Sequence, residues 1–357
     1  MKPHRRKVLV VGPSWVGDMV MAQSLFKNLH QQINDLSLSV LAPSWSLPLV
    51  ERMPEVTAAI PTPFQHGRLS IRNRLRLARQ LHSEHFDHAI ILPQSFKSAL
   101  VPFLAGIPLR TGYLGEKRYG LLNDIRHINL KESPQTVEQF VQLGRPIGSA
   151  SEYPNLRPKL IANPDSVKKI FQRLGIQLSK KPVLAICPGA AFGPAKRWPA
   201  THFAQVAQLK LQQGWQIWLL GSDQDASITA EISDLGLANL HDLAGRTRLE
   251  EVVDLLSAAS YVISNDSGLM HLAAAVDTPV IAIYGSTSPK TNPPLSPQAT
   301  ILWEDLSCSP CQKRVCPLKH TNCLHQLPVD RVINALDLAN ASSTSPINTD
   351  SPPNTHL

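Results

Sequence analysis

The sequence predicts an α/β protein of two parallel-sheet halves facing each other across a cleft. Three observations lead there. Short apolar runs of strand type alternate with helix-type stretches, the pattern of strand–helix–strand units. That alternation breaks in the middle, where residues 131–165 carry prolines at 134, 146, 154, 158 and 164 and few apolar periodicities. The glycine-rich and charged segments of each half fall just after strand-type runs, where an open parallel sheet binds its ligands.

In the first half, strands are expected at 7–11, 38–42 and 88–92, each a run of Val, Leu, Ile or Ala. A helix over 18–31 follows from the stripe Met21, Ala22, Leu25, Phe26 and Leu29, spaced to share one face. A second helix is expected over 69–85. The stretch "FKSALVPFLAGIPLRTGY" reads as a short helix, a strand and a glycine turn. The proline-dotted middle holds one helix, 135–143, and another opens the second half at 165–174. Strands "PVLAIC", "WQIWLLG", "YVISND" and "PVIAIYG" then alternate with helices near 201–212, 224–235, 249–258 and 268–275. The domains are therefore expected at 1–160 and 161–335. The Ser-, Thr-, Asn- and Pro-rich end of the chain reads as a disordered tail, 336–357.

At 357 residues the chain is long enough for two ordinary cores, and 43% hydrophobic against 17% charged residues excludes a disordered protein. Its 35 Lys and Arg against 27 Asp and Glu leave a net charge of +8, which suits an anionic partner. No run of about eighteen apolar residues occurs, and the run at 8–11 is too short for a signal-peptide core. A cytoplasmic protein is expected. The basic arm of Lys2, His4, Arg5, Arg6 and Lys7 reads as a solvated tail or as a contact to a membrane surface.

Three loops carry the chemistry. "GPSWVGD" (12–18) resembles neither a dinucleotide nor a mononucleotide phosphate loop, because Asp18 stands where the phosphate-binding Lys would be. Asp18 either caps the following helix or serves a ligand that Gly17 lets close to the backbone. "CPGAAFGPAKRWP" offers Lys196 and Arg197 among small residues that admit a ligand. In "SNDSGLMHLAAA" a strand ends at Asp266, and Ser267 and Gly268 open a helix whose free N–H groups and dipole favour an anion. His271 lies one turn in, placed to donate to a second phosphate oxygen. The combination describes a diphosphate site with a carboxylate beside it; the bland alternative makes Asp266 and Ser267 caps.

These segments, with "LPQSFKSALVPFLAGIPLRTGY" and "RYGLLND", stand in an order that resembles the lipopolysaccharide heptosyltransferases of glycosyltransferase family nine, over about residues 8–290. The resemblance implies a GT-B fold of two Rossmann-like domains, acceptor bound by the first and nucleotide sugar by the second. It implies inverting transfer from ADP-heptose to a heptosylated Kdo-lipid A acceptor, with no cofactor required for catalysis. That acceptor would place the protein peripherally at the inner face of the inner membrane. It makes Asp18 the general base and assigns donor phosphate to Lys196, Asp266, Ser267, Gly268 and His271. Ser222 and Thr247, at two further strand ends, are the candidates for adenosine, and Gly17, Lys97 and Arg110 for the acceptor.

Four of the five cysteines form C-x2-C-x4-C-x6-C at Cys308, Cys311, Cys316 and Cys323, near His320 and His325. The spacing suits a structural Zn ion or iron–sulfur cluster; the alternative is reduced packing or redox-active thiols. Cys187, at a strand end, reads as a small core residue. Two other readings compete: a family-nine or epimerase-like protein using another nucleotide sugar, and a basic metal-containing nucleic-acid binder. Against the latter, the basic residues are dispersed and no zinc-finger or aromatic RNA-binding motif occurs, so no nucleic-acid partner is expected.

Overall fold

A computed structural model describes residues 5–64, 69–149, 157–177, 180–234 and 236–344. In the first half the chain forms β1 (Arg6–Val11), α1 (Val16–Gln32), β2 (Leu36–Pro43), α2 (Leu47–Val50), β3 (Ala58–Thr62), α3 (Ile71–His82), β4 (His88–Ile91), α4 (Phe96–Leu104), β5 (Leu109–Tyr113) and β6 (Asp124–Arg126). Next come α5 (Thr136–Leu143) and α6 (Pro164–Leu174). The second half forms β7 (Val183–Cys187), α7 (Ala200–Gln212), β8 (Gln216–Leu219), α8 (Ala226–Ser233), β9 (Leu240–Asp242), α9 (Leu249–Ala258), β10 (Tyr261–Asn265), α10 (Gly268–Ala275), β11 (Val280–Tyr284) and β12 (Ala299–Trp303). It closes with α11 (Asn322–His325) and α12 (Val329–Thr344).

The sheets run β3-β2-β1-β4-β5-β6 and β12-β11-β10-β7-β8-β9, all parallel. The expected α/β fold of two Rossmann-like units in GT-B manner is what the chain adopts. In each sheet the strand order reverses once, between β1 and β4 and between β10 and β7. A crevice opens at the carboxyl ends of strands where the order reverses. The loops at those four strand ends are 12–15, 92–95, 188–199 and 266–267; they hold Lys196, Arg197, Asp266 and Ser267, while Gly17, Asp18, Lys97, Gly268 and His271 lie in the helices that follow them.

The apolar strand runs are continuous because both faces are covered. Along β1, Val8 and Val10 enter one core while Leu9 and Val11 enter another, as the two-residue period of a strand demands. The first of these cores is shared by both halves, running from Val10, Met21 and Leu25 to Ala185, Leu272 and Tyr284. It is joined where α1 packs on α10. Arg52 pairs with buried Asp254 at 2.9 Å, and Leu160 N–H donates to the Ala275 carbonyl at 2.9 Å.

Four strands are absent from the sequence expectation: β3, β6, β9 and β12. Two are three residues long, all four lie at or beside sheet edges, and none is fully buried. Pro61 sits within β3, as an edge strand permits. The tail needs correction too. Buried Val332 and Leu336 anchor α12, which continues through Thr344, so 336–344 are helical; residues 345–357 lie outside the described residues. Lys2 and His4 of the basic arm also lie outside them, while Lys7 donates to the Glu84 carbonyl and Arg5 faces Asp35 at 3.6 Å. Among the described residues no helix is long and apolar enough to cross a membrane.

Candidate active site

β1 ends at Val11, and α1 starts at Val16 with Trp15 as its N-cap, two residues earlier than its apolar stripe suggests. Asp18 therefore sits in the first turn rather than at the cap, and no side-chain cap bond forms. An acidic group there is favoured by the helix dipole. Among the described residues its carboxylate has no hydrogen-bond partner, and it opens onto a cavity of 1340 Å³ lined by Trp15, Trp45, Arg74, Gln94, Lys97 and Arg314 among others. Burial pushes the Asp18 carboxyl up to about 6; nearby Lys196 pulls it down less strongly and Asp266 adds to the rise.

Those two modifiers come from the other half. After β7 the chain makes a tight turn over 194–196 that points Lys196 at Asp266, just past β10. Lys196 Nζ meets Asp266 Oδ2 at 2.6 Å, and the Thr287 hydroxyl donates to the same oxygen. Both charged side chains are largely withdrawn from water. A buried ion pair of this kind survives when further hydrogen bonds satisfy it, and Thr287 supplies one. Ser267 is the N-cap of α10 without a side-chain cap bond; its hydroxyl faces that of Ser264 at 3.2 Å. The N–H groups of the first turn of α10 therefore point out of the helix end beside Asp266.

The two helix starts touch. A Cβ on Gly17 would lie 2.6 Å from the His271 ring, and one on Gly268 2.6 Å from Val16 Cβ. Gly17 and Gly268 are thus the positions at which α1 and α10 approach too closely for any side chain. His271 is only 5% exposed, and burial lowers its imidazole to about 4, so it is neutral near pH 7 and donates at most one ring N–H. Gly17→Ala is expected to destabilise by about 1–3 kcal/mol through overpacking against the buried His271 ring. Urea unfolding checks this, and Gly17→Ala/His271→Ala should recover much of the loss; equal loss in the double variant refutes the contact.

The remaining candidates divide. Lys97 lines the cavity, and its carbonyl receives a 2.7 Å bond from buried Arg74. Arg110 does not reach the cavity: it lies at the amino end of β5, with its guanidinium on the carbonyls of Leu121 (2.7 Å) and Ile107 (2.6 Å). Its expected acceptor contact is therefore corrected to a structural tie. Arg118 of "RYGLLND" was assigned no role from sequence, yet it is wholly buried, donating to the carbonyls of Pro93 (2.7 Å) and Tyr113 and so joining the loops after β4 and β5. Ser222 donates to Asp225 at 2.8 Å and Thr247 to the Leu243 carbonyl at 3.3 Å. Around them, Cβ atoms on Gly189 and Gly245 would fall within 2.3 Å of Asp225 and 2.2 Å of Asp223, so these strand-end loops are packed together with acidic groups on top. Arg197 turns away from Asp266, toward Asp225 at 4.0 Å.

All five cysteines are free thiols. Cys308, Cys311, Cys316 and Cys323 surround a cavity of only 20 Å³ under Ala195 and Ser286. Among the described residues no group of three or more His, Cys, Asp or Glu is arranged to hold a metal, so the Zn or iron–sulfur expectation finds no support. Backbone N–H groups from Leu318 to Thr321 lower the Cys316 thiol, while burial raises Cys323 to about 11. Cys187 is wholly buried and held protonated by burial.

This arrangement has relatives. The pattern of glycosyltransferase family 9 (heptosyltransferase) matches residues 74–322. Lipopolysaccharide heptosyltransferase 2 of Escherichia coli (strain K12) is 44% identical over 305 residues, 83% of this chain and 87% of the relative. Lipooligosaccharide heptosyltransferase 2 of Haemophilus influenzae is 45% identical over 306 residues, 83% and 88% of the two chains. The solved structure of E. coli ADP-heptose LPS heptosyltransferase II superposes with a TM-score of 0.85 at 38% identity, covering 95% of this chain and all of that one. With two parallel sheets meeting at their strand ends and the family pattern running through both, the chain belongs to glycosyltransferase family 9, the heptosyltransferases.

Proposed function

We propose that the protein transfers heptose from ADP-heptose to the first heptose of the lipopolysaccharide inner core on Kdo-lipid A, with inversion, and that Asp18 is its general base. One observation carries the reading: the Asp18 carboxylate opens onto the large cavity on one side and lies within electrostatic reach of the Lys196–Asp266 pair on the other. A base so placed separates an acceptor space from an anion-binding helix end.

The first half then binds the acceptor in the cavity, with Lys97 as a cation; Gly17, expected from sequence to admit the acceptor, is instead packed on His271 and does not line the cavity. The second half binds ADP-heptose. Its diphosphate lies at the start of α10, held by Lys196 and the N–H groups after Ser267 and Gly268, with Asp266 fixing Lys196 and neutral His271 donating one hydrogen bond. Ser222 and Thr247 flank the adenosine, near the Asp223 carboxylate, which suits ribose hydroxyls. Asp18 takes the proton of the acceptor hydroxyl as its oxygen attacks the anomeric carbon; the C–O bond to ADP breaks on the opposite face. Negative charge growing on the departing diphosphate is stabilised by Lys196 and the α10 dipole. With a pKa of about 6, Asp18 is ionised at neutral pH yet a stronger base than an exposed carboxylate. A membrane-borne acceptor makes the protein a cytoplasmic one that works peripherally at the inner membrane, consistent with a charge of +8.

The test is incubation with ADP-heptose and heptosylated Kdo-lipid A, following ADP release and acceptor mass. Acceptor-dependent ADP release with one added heptose is expected. ADP release without mass gain, or transfer only from another nucleotide sugar, refutes the reading.

A further inference from the structure

The segment between Cys308 and Cys323 holds no expected substrate contact, yet it delivers one side chain to the acceptor cavity. Arg314 is the only residue of the second half among the described residues that line it. Its main chain is fastened to the Lys196 loop: Ala195 N–H donates to the Arg314 carbonyl at 3.1 Å, and Ser286 N–H returns to the Ala195 carbonyl at 3.1 Å. Gln312 N–H donates to the Ser286 carbonyl at 2.7 Å, and Ser309 Oγ to the Gly285 carbonyl at 2.7 Å. Gly193 is required at this junction, since a Cβ there would stand 2.4 Å from the Arg314 carbonyl. The backbone is thus held at several points while the side chain is left exposed.

The guanidinium is not spent on the protein. Among the described residues it meets only the Phe192 ring, 5.3 Å from its centroid. Lys196 Nζ lies over the same ring at 4.9 Å. Lys196 has Asp266 as counter-ion, whereas Arg314 has none among the described residues. Two cations sharing one ring repel, and an anion on the open side of Arg314 relieves that repulsion. Across the cavity stand Lys97 and Arg74, against which Asp18 is the single carboxylate among its described lining residues. An excess of cations in one enclosed space selects an anionic ligand, and Arg offers the bidentate geometry that phosphate takes.

We propose that Arg314 binds a phosphate group of the acceptor glycolipid, so that the cysteine-rich loop is an acceptor-recognition element that the donor-binding half contributes to the other half's cavity. The proposal rests on the functional reading above, and it explains why this loop is fastened to the Lys196 turn: donor and acceptor cations are held by one piece of backbone.

The experiment compares wild type, Arg314→Gln and Arg314→Lys in steady-state transfer, with the heptosylated acceptor carrying its phosphates and with the same acceptor dephosphorylated. With the phosphorylated acceptor, Arg314→Gln is expected to raise the acceptor KM roughly 10- to 100-fold. The KM for ADP-heptose and kcat should change less than about twofold, and Arg314→Lys should recover part of the loss. With the dephosphorylated acceptor the Gln variant should match wild type, because the interaction it lacks is already gone. A rise in the ADP-heptose KM instead assigns Arg314 to the donor and overturns the proposal. So does an acceptor KM that stays unchanged, or a loss that persists on the dephosphorylated acceptor. If wild type transfers no heptose, it is the functional reading that fails.

Discussion

Asp18→Asn is expected to lower heptose transfer by about 10²- to 10⁴-fold while ADP-heptose binding stays within a few-fold of wild type. Asn keeps the size and polarity of the side chain but cannot accept the acceptor proton. Wild-type kcat/KM should rise tenfold per pH unit below about 6, where Asp18 is protonated, and level off above it. That limb should vanish from the residual activity of the Asn variant. Stability moves the opposite way. Burial raises the carboxyl from 3.8 to about 6, so between those values the folded chain holds a proton that the unfolded chain has released. The native state is therefore penalised as pH rises through that window, and the penalty is complete above about 6. Asp18→Asn should raise Tm at pH 7.5 and leave it nearly unchanged at pH 3.5. A variant that turns over normally, or that is less stable than wild type at pH 7.5, contradicts the assignment.

Lys196→Met should lower kcat by about 10²- to 10³-fold, since the role proposed for this cation is to meet the charge developing on the diphosphate. It should also destabilise the fold by about 3–5 kcal/mol, because Asp266 stays buried with only Thr287 to answer its charge. Adding Asp266→Asn removes the stranded charge and should return most of the stability without returning activity. Chemical denaturation and single-turnover transfer separate the two effects. The same variant also acts on the base: Lys196 lowers the Asp18 pKa and Asp266 raises it, so losing the cation should move the acidic limb of residual activity above pH 6. A limb that stays in place means Asp18 and Lys196 do not sense each other across the cleft.

How much of this was legible in the sequence differs by element. β1, β7, β10 and β11 stood out as apolar runs because a central parallel strand is buried on both faces. β3 and β12, at the sheet edges, have water on part of their surface and no such run to display. Arg110 and Arg118 look alike in sequence, two arginines near one strand. Only the fold separates them, because the direction of β5 carries Arg110 to the end remote from the cleft and the following turn brings Arg118 beneath it. Arg314 gave no signal at all, being one charge among several in a cysteine-rich stretch.

What the sequence determined by itself was the class of fold, three of the strand-end loops and the residue types gathered there, since period and glycine placement are local properties of a chain. It left Asp18 undecided between cap and base. The tertiary structure adds what bears on that question, through contacts no local pattern encodes: Asp18 makes no cap bond and faces the cavity. α1 and α10 meet glycine to side chain, Gly17 on His271 and Gly268 on Val16, and that approach sets Asp18 within reach of Lys196 and Asp266. A carboxylate's pKa follows from the water it has lost and the charges it faces. For Asp18 the charges, Lys196 and Asp266, come from residues of the other half that only the fold brings near.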